Sequence, residues 1–301
     1  MSAETNPDGA WSRLDALGVL CVAGADASAF LQGQVSNDLA RLEREHALLC
    51  ALSTPQGRVV AVLRLVARAE GIVAILPAAL VAPVIQRLKK YVLRAKVTLT
   101  DESARWGVAG LLGRDQPSTH AGVHAPALAV GNEISVHALP NARHLLLGPH
   151  QALARLATRL GPALPDSDRW RLAAIESGEP QVYPATSDVF VAQMLNLDLV
   201  DGVSFSKGCY TGQEIIARTQ HRGRIKRRML RYRLRGSAGL EPGDSVQIDG
   251  HAGRVVEVAA RNATEDELLA VMTLEGSSRS DAPDLPAVRL PLPYSIPDVD
   301  A

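Results

Sequence analysis

Three apolar runs near the start of the chain, at about 46–52, 58–66 and 72–76, are separated by Thr54-Pro55-Gln56-Gly57 and by Ala69-Glu70-Gly71. Each run has the length of a strand. Each break holds turn-forming residues, because Pro pre-sets φ and Gly accepts backbone conformations that a Cβ forbids. Runs joined this tightly fold back as antiparallel neighbours, so the chain builds a β-meander early.

The flanking pattern extends this frame. After a loose N-terminal tail, 19–23 reads as a strand, and Gly24-Ala25-Asp26 turns the chain into a helix carrying Phe30 and Leu31. Leu80, Val84, Leu88 and Tyr91/Val92 recur at helical spacing over 79–93, with Lys89 and Lys90 near the end that favours cations. Strands follow at 97–99 and 107–111, then a loop rich in Pro, His, Ser and Gly at 113–131, then strands at 134–136 and 144–147. The spacing predicts a helix over 151–160 and another from Asp166/Ser167, good capping residues, to Gly178. From Arg228 onward short strands with Glu241-Pro242-Gly243-Asp244 and Asp249-Gly250 turns predict a small β-barrel. The fold class is α+β with an all-β C-terminal domain.

At 301 residues the chain exceeds what one core usually holds, so two or three packed modules are expected. Lys+Arg and Asp+Glu both total 32, which leaves no global field toward nucleic acid or membrane. The three cysteines, Cys21, Cys50 and Cys209, lie far apart and form neither a disulfide framework nor a zinc pattern. The polar, acidic start does not resemble a signal peptide, and no uncharged apolar run reaches the ~18 residues a span needs. A soluble, cytoplasmic protein is expected.

The densest chemistry lies in Phe205-Ser206-Lys207-Gly208-Cys209-Tyr210-Thr211-Gly212-Gln213-Glu214. Thr211-x-x-Glu214 fits a capping box, which predicts a helix from about Gly212. Cys209 then precedes a helix N-terminus and sits two residues from Lys207, and both features favour a thiolate. The competing reading makes Cys209 a small buried hydrophobe. The nearest histidine, His221, lies at the far end of that helix, so a papain-like hydrolase is not expected.

A basic run follows, with eight cations between Arg222 and Arg235. It could grip phosphates, but Arg231, Arg233 and Arg235 alternate with Tyr232 and Leu234 as the solvated face of a half-buried strand does. The solvated face is the preferred reading, with Arg222 and Arg224 as anion ligands. Trp170 and Glu176, six positions apart, do not share one helical face; singly, they read as a core Trp and a surface charge. No P-loop, G-x-G-x-x-G or G-x-S-x-G occurs.

The segment Lys207-Gly208-Cys209-Tyr210-Thr211-Gly212-Gln213-Glu214 resembles the signature of the YgfZ family. Phe30-Leu31-Gln32-Gly33-Gln34-Val35, Phe190-x-x-Gln193-x-x-Asn196-Leu197, Ala217-Arg218, Arg222-Gly223 and Leu292-Pro293-Tyr294-Ser295 agree with it in order. The resemblance implies the aminomethyltransferase-like fold: two mixed α/β modules around a central folate cavity, over about 1–222, and a C-terminal β-barrel over 223–301. It implies tetrahydrofolate or a derivative as ligand, with Trp170, Glu176, Tyr210 and Arg222 at the folate and Cys209, tuned by Lys207, as the functional centre. A carboxylate such as Glu176 can accept two N–H bonds from a pterin edge.

The resemblance also implies transient partners among iron–sulfur enzymes or cluster carriers, support of cluster assembly or repair, and through it tRNA modification. No membrane contact and no direct RNA binding are expected. The chain departs from the transferases in two places: a folate-associated Trp is replaced at about Leu17, and the Asp pair of the second meander strand by Ala61 and Val62. Without that carboxylate, aminomethyl transfer lacks its acid/base partner. A folate-dependent one-carbon transferase and an RNA-binding module remain the alternatives.

Overall fold

The structure is a computed structural model and describes residues 10–42, 47–113, 133–164, 167–222, 225–236, 239–274, 282 and 284–297. The elements run β1 (Ala10–Arg13), β2 (Leu17–Ala23), α1 (Ala27–Gln32), β3 (Leu48–Ser53), β4 (Val59–Arg68), β5 (Gly71–Pro77), α2 (Ala78–Val92), β6 (Thr98–Asp101) and β7 (Trp106–Leu112). Then come β8 (Ser135–Leu139), β9 (Arg143–Pro149), α3 (His150–Leu160), α4 (Asp168–Glu176), α5 (Gln213–Arg222) and the strands β10 (Arg227–Arg235), β11 (Ser245–Ile248), β12 (His251–Asn262), β13 (Glu265–Thr273) and β14 (Ala287–Leu290). The expected α+β order is present. His46, Asp166 and all but Gly113 of the 113–131 loop lie outside the described residues.

One expectation fails at the N-terminus. The supposed tail contains β1, which pairs antiparallel with β7 and buries Trp11 and Ser12. Four residues are too few to display a period of two, and only the partner strand makes them a strand.

The chain forms two units that interleave in sequence. The first comprises Met1–Ser28, Ala40–Leu48 and Arg64–Trp170; the second comprises Ala29–Leu39, Leu49–Leu63 and Arg171–Ala301. β4 passes from the second unit, where 59–63 lies beside β3, into the first, where 64–68 pairs with β5.

In the first unit the sheet β1-β7-β9-β8 is buried on both faces. Val108, Leu145 and Leu147 meet Val19, Val66, Val73 and Ile75 on one side, and Ala109, Leu111 and Leu146 meet Leu156 and Leu160 of α3 on the other. Alternate residues serve opposite cores, which is why these strands read as unbroken apolar runs. α2 lays Leu80, Val81, Val84, Ile85 and Leu88 inward, the stripe an amphipathic helix presents to a sheet.

In the second unit β11-β12-β13-β10-β14 form one antiparallel sheet over a core of Leu230, Tyr232, Val246, Val255 and Leu268. Among the described residues its edge strand β11 meets the segment just before β14 through a bridge, Gln247 to Asp284, and a bond from the Leu285 N–H to the Gln247 carbonyl at 2.8 Å. Among the described residues the expected barrel is therefore a five-stranded sheet joined to itself by that contact rather than by a strand ladder. Its strands are also longer than expected: β12 has 12 residues, and its bulges between Val255 and Glu257 and between Ala260 and Asn262 interrupt the alternation that would have revealed its length.

Candidate functional site

The signature segment is anchored by alternating burial. Phe205, Ser206, Gly208 and Cys209 are exposed, while Lys207 and Tyr210 are buried. Lys207 Nζ donates to the carbonyls of Gln32 at 2.7 Å, Val35 at 2.8 Å and Asn37 at 2.8 Å. These are all three donors an ammonium has, and they converge on the loop that follows α1. The Tyr210 ring centroid lies 5.0 Å from Nζ, within cation–π range. Burial pushes the Lys207 ammonium down to about 8 and the Tyr210 phenol up to about 12.

Lys207 directs its hydrogen bonds to the backbone of this loop. With its three N–H groups taken by carbonyls, it has none left for the Cys209 thiol. It pins the loop that presents Cys209.

The same loop is held from both sides. The Thr211 N–H donates to the Gly33 carbonyl at 3.1 Å, and the Thr211 hydroxyl to Gln34 Oε1 at 3.4 Å. Thr211 thus turns to the α1 loop rather than capping α5, and Glu214 pairs with Arg218 one turn on, although the helix begins where expected. Gly212 has φ +85°, and a Cβ there would stand 2.6 Å from the Thr54 carbonyl oxygen, so the position requires glycine.

The other motif segments join this network. Gln193 Nε2 donates to the Ile216 carbonyl of α5 at 2.7 Å, and Asn196 Nδ2 to the Met229 carbonyl at 2.8 Å. The Tyr294 hydroxyl donates to the Gly178 carbonyl at 2.8 Å. Segments far apart in the chain, such as Lys207 and Gln32 at a separation of 175 residues, are thus tied through backbone acceptors. The partners of Lys207 could not be read from spacing, because backbone carbonyls carry no residue code.

Glu176 is partly exposed. Its Oε1 lies 3.5 Å from both Arg231 and Arg261, and each of these is also paired to the fully buried Glu267. Among the described residues Oε2 accepts no hydrogen bond, so the carboxylate keeps acceptor capacity for an N–H edge. Trp170 is 8% exposed in the core of the first unit. Gly110 leaves room for its ring, since a Cβ there would approach it to 2.3 Å, and the Arg143 guanidinium stands 5.3 Å from its centroid. Ala61 and Val62 are buried in β4. Arg222 closes α5, and its side chain, like the whole of Arg224, lies outside the described residues.

Three arginines of the basic run are neutralised inside the fold. Arg228 pairs with Asp198 at 2.7 Å, Arg231 with Glu267 at 2.6 Å and Arg233 with Glu265 at 3.8 Å. Arg231 is thus not on a solvated face, because its strand face carries the buried Glu267. Among the described residues no group of three or more metal-ligating side chains occurs, and no helix is long and apolar enough to cross a membrane.

The architecture matches that of the glycine cleavage system aminomethyltransferase T from Bartonella henselae, with a TM-score of 0.65 over 98% of this chain and 88% of that one, at 13% identity. The fold is that of the aminomethyltransferases. Over 253 residues the chain is 33% identical to the tRNA-modifying protein YgfZ of Yersinia pseudotuberculosis, covering 80% of this chain and 75% of that protein. Over 298 residues it is 33% identical to the tRNA-modifying protein YgfZ of Serratia proteamaculans, covering 91% and 88%. The chain belongs to the YgfZ family. No family model matches it.

Proposed function

We propose that this chain is a cytoplasmic, tetrahydrofolate-binding accessory protein that supports iron–sulfur enzymes and, through one of them, tRNA modification, with Cys209 as its functional centre. The observation that carries the reading is the exposed Cys209 thiol between two buried pegs, Lys207 and Tyr210. A cysteine kept for packing would itself be buried, as Cys50 is. The names of the relatives supply the tRNA link.

The test is complementation of a family-deficient bacterium by Cys21→Ala, Cys50→Ala and Cys209→Ala, with abundance checked. Loss confined to Cys209→Ala supports the reading. Full rescue by that variant at normal abundance would remove Cys209 from the function, and equal failure of all three would point to stability.

Folate recognition is assigned to Glu176, with Trp170, Tyr210 and Arg222 as the further residues the resemblance implies. The bound folate would carry or accept a one-carbon unit. The open acceptor Oε2 of Glu176 supports its role. In calorimetry with reduced folates, Glu176→Ala should weaken binding by about 1.5–3 kcal/mol, the range for hydrogen bonds to charged groups. Unchanged affinity would take Glu176 out of the site.

The transferase reading is disfavoured by Ala61 and Val62. An assay of aminomethyl transfer from carrier protein to tetrahydrofolate should show no significant turnover, and turnover like that of a dedicated transferase would revive it.

A further inference from the structure

The arginines of β10 and β12 fall into two groups. Arg228, Arg231, Arg233 and Arg261 each face a carboxylate. Arg227, Arg235 and Arg254 are exposed and have no acidic partner among the described residues. Two of these three, Arg227 and Arg254, line one cavity of about 370 Å³. The volume is within the range of small-molecule sites, and among the described residues no Asp or Glu contributes to the lining.

Register explains how the two cations come together. Ser245 pairs with Arg254, Arg254 with Val271, and Arg227 with Thr273. Directly opposed residues share a face, and so do Val271 and Thr273, two apart on β13. Ser245, Arg254, Thr273 and Arg227 therefore stand on one face of the sheet. The facing wall is apolar, from Val189, Phe190 and Met194.

We propose that this cavity binds a phosphate ester, either a free nucleotide or the backbone phosphate of an RNA. Phosphate oxygens are acceptors only. Two guanidinium forks, which are donors only, and two hydroxyls, which can turn an O–H toward an acceptor, line the charged side, and the apolar wall suits the uncharged part of the ligand. None of the lining residues belongs to the Cys209 segment, so the site stands apart from the reading given above.

The experiment uses the full chain and three probes at low salt: labelled tRNA by fluorescence anisotropy, and AMP and inorganic phosphate by calorimetry. The variants are Arg227→Glu/Arg254→Glu and, as control, Arg235→Glu, which changes an unpaired arginine of the same strand outside the cavity. Circular dichroism checks that the wild type and every variant, Arg227→Ala/Arg254→Ala included, fold alike. The double variant should bind at least about 10-fold more weakly, and the salt dependence of the wild type should exceed that of Arg227→Ala/Arg254→Ala by about two phosphate contacts. The control should bind like wild type.

Loss seen with tRNA alone identifies the source as nucleic-acid backbone; loss seen with AMP or phosphate as well identifies a free phosphate ester. The proposal is overturned if no probe binds the wild type, if the double variant binds equally well, or if Arg235→Glu loses as much.

Discussion

Lys207 and Arg228 are both buried cations of the second unit, and they are neutralised in opposite ways. Arg228, with 2% of its side chain exposed, holds both oxygens of Asp198, at 2.7 and 3.0 Å, and the Gln193 carbonyl at 2.8 Å. Lys207 meets no carboxylate through its bonds, only the carbonyls of Gln32, Val35 and Asn37. A planar fork suits a carboxylate, whereas a compact ammonium can gather three carbonyls from one curved loop. The first arrangement locks two charges together. The second turns one charge into a fastener for backbone. Deleting the cation should accordingly leave a buried, unpaired carboxylate in one case and three neutral acceptors in the other.

The largest expected effect follows from that difference. Arg228→Ala should lower stability by about 3–5 kcal/mol, because it strands the buried Asp198 charge. Urea unfolding measures it, and the Arg228→Ala/Asp198→Ala double variant should cost less than the sum of the single changes. Strict additivity would break the ion-pair account. Lys207→Met should cost less, about 2–3 kcal/mol for carbonyls left without donors, and Lys207→Arg should not restore the loss. If Lys207→Met proves as costly as Arg228→Ala, the contrast between the two cations disappears.

pH sharpens the comparison further. Burial pushes Lys207 down from 10.5 to about 8, so between those values the unfolded chain holds a proton that the folded chain has released. Its contribution therefore makes stability rise with pH through that window. Burial pushes Tyr210 and Tyr232 up from 10 to about 12, so the stability they contribute is fully present below pH 10 and is lost as pH climbs through about 12. Urea midpoints from pH 7.5 to 11.5 should rise and then fall, and the rise should shrink in Lys207→Met. An unchanged rise would assign it to another group.

The smallest effect belongs to Arg233→Ala. Its pair with Glu265 spans 3.8 Å and is about one-third exposed on both sides, so solvent screening limits the loss to about 1 kcal/mol or less.

The meander, α2 and the start of α5 were legible because turn residues and helical spacing are local signals that tertiary contacts here reinforce. β1 was hidden because its partner β7 is some hundred residues away. β12 was shortened because its bulges break the period. In the candidate site, the residues of the signature stood out, Cys209 among them, but their division of labour did not. Lys207 reads as a charge beside a thiol until its three acceptors are seen.

The sequence by itself determined the order of the elements, the family and the cluster of reactive residue types, since all three reside in side-chain identity and spacing along the chain. Only the tertiary structure decided which cation meets a carboxylate, which meets a carbonyl and which lines a cavity. Arg227, Arg228 and Arg231 are nearly contiguous and chemically identical, yet one lines a cavity, one is buried on Asp198 and one shares Glu267 with Arg261. Successive residues of a strand point to opposite faces, and what each face holds is set by chain far away in sequence.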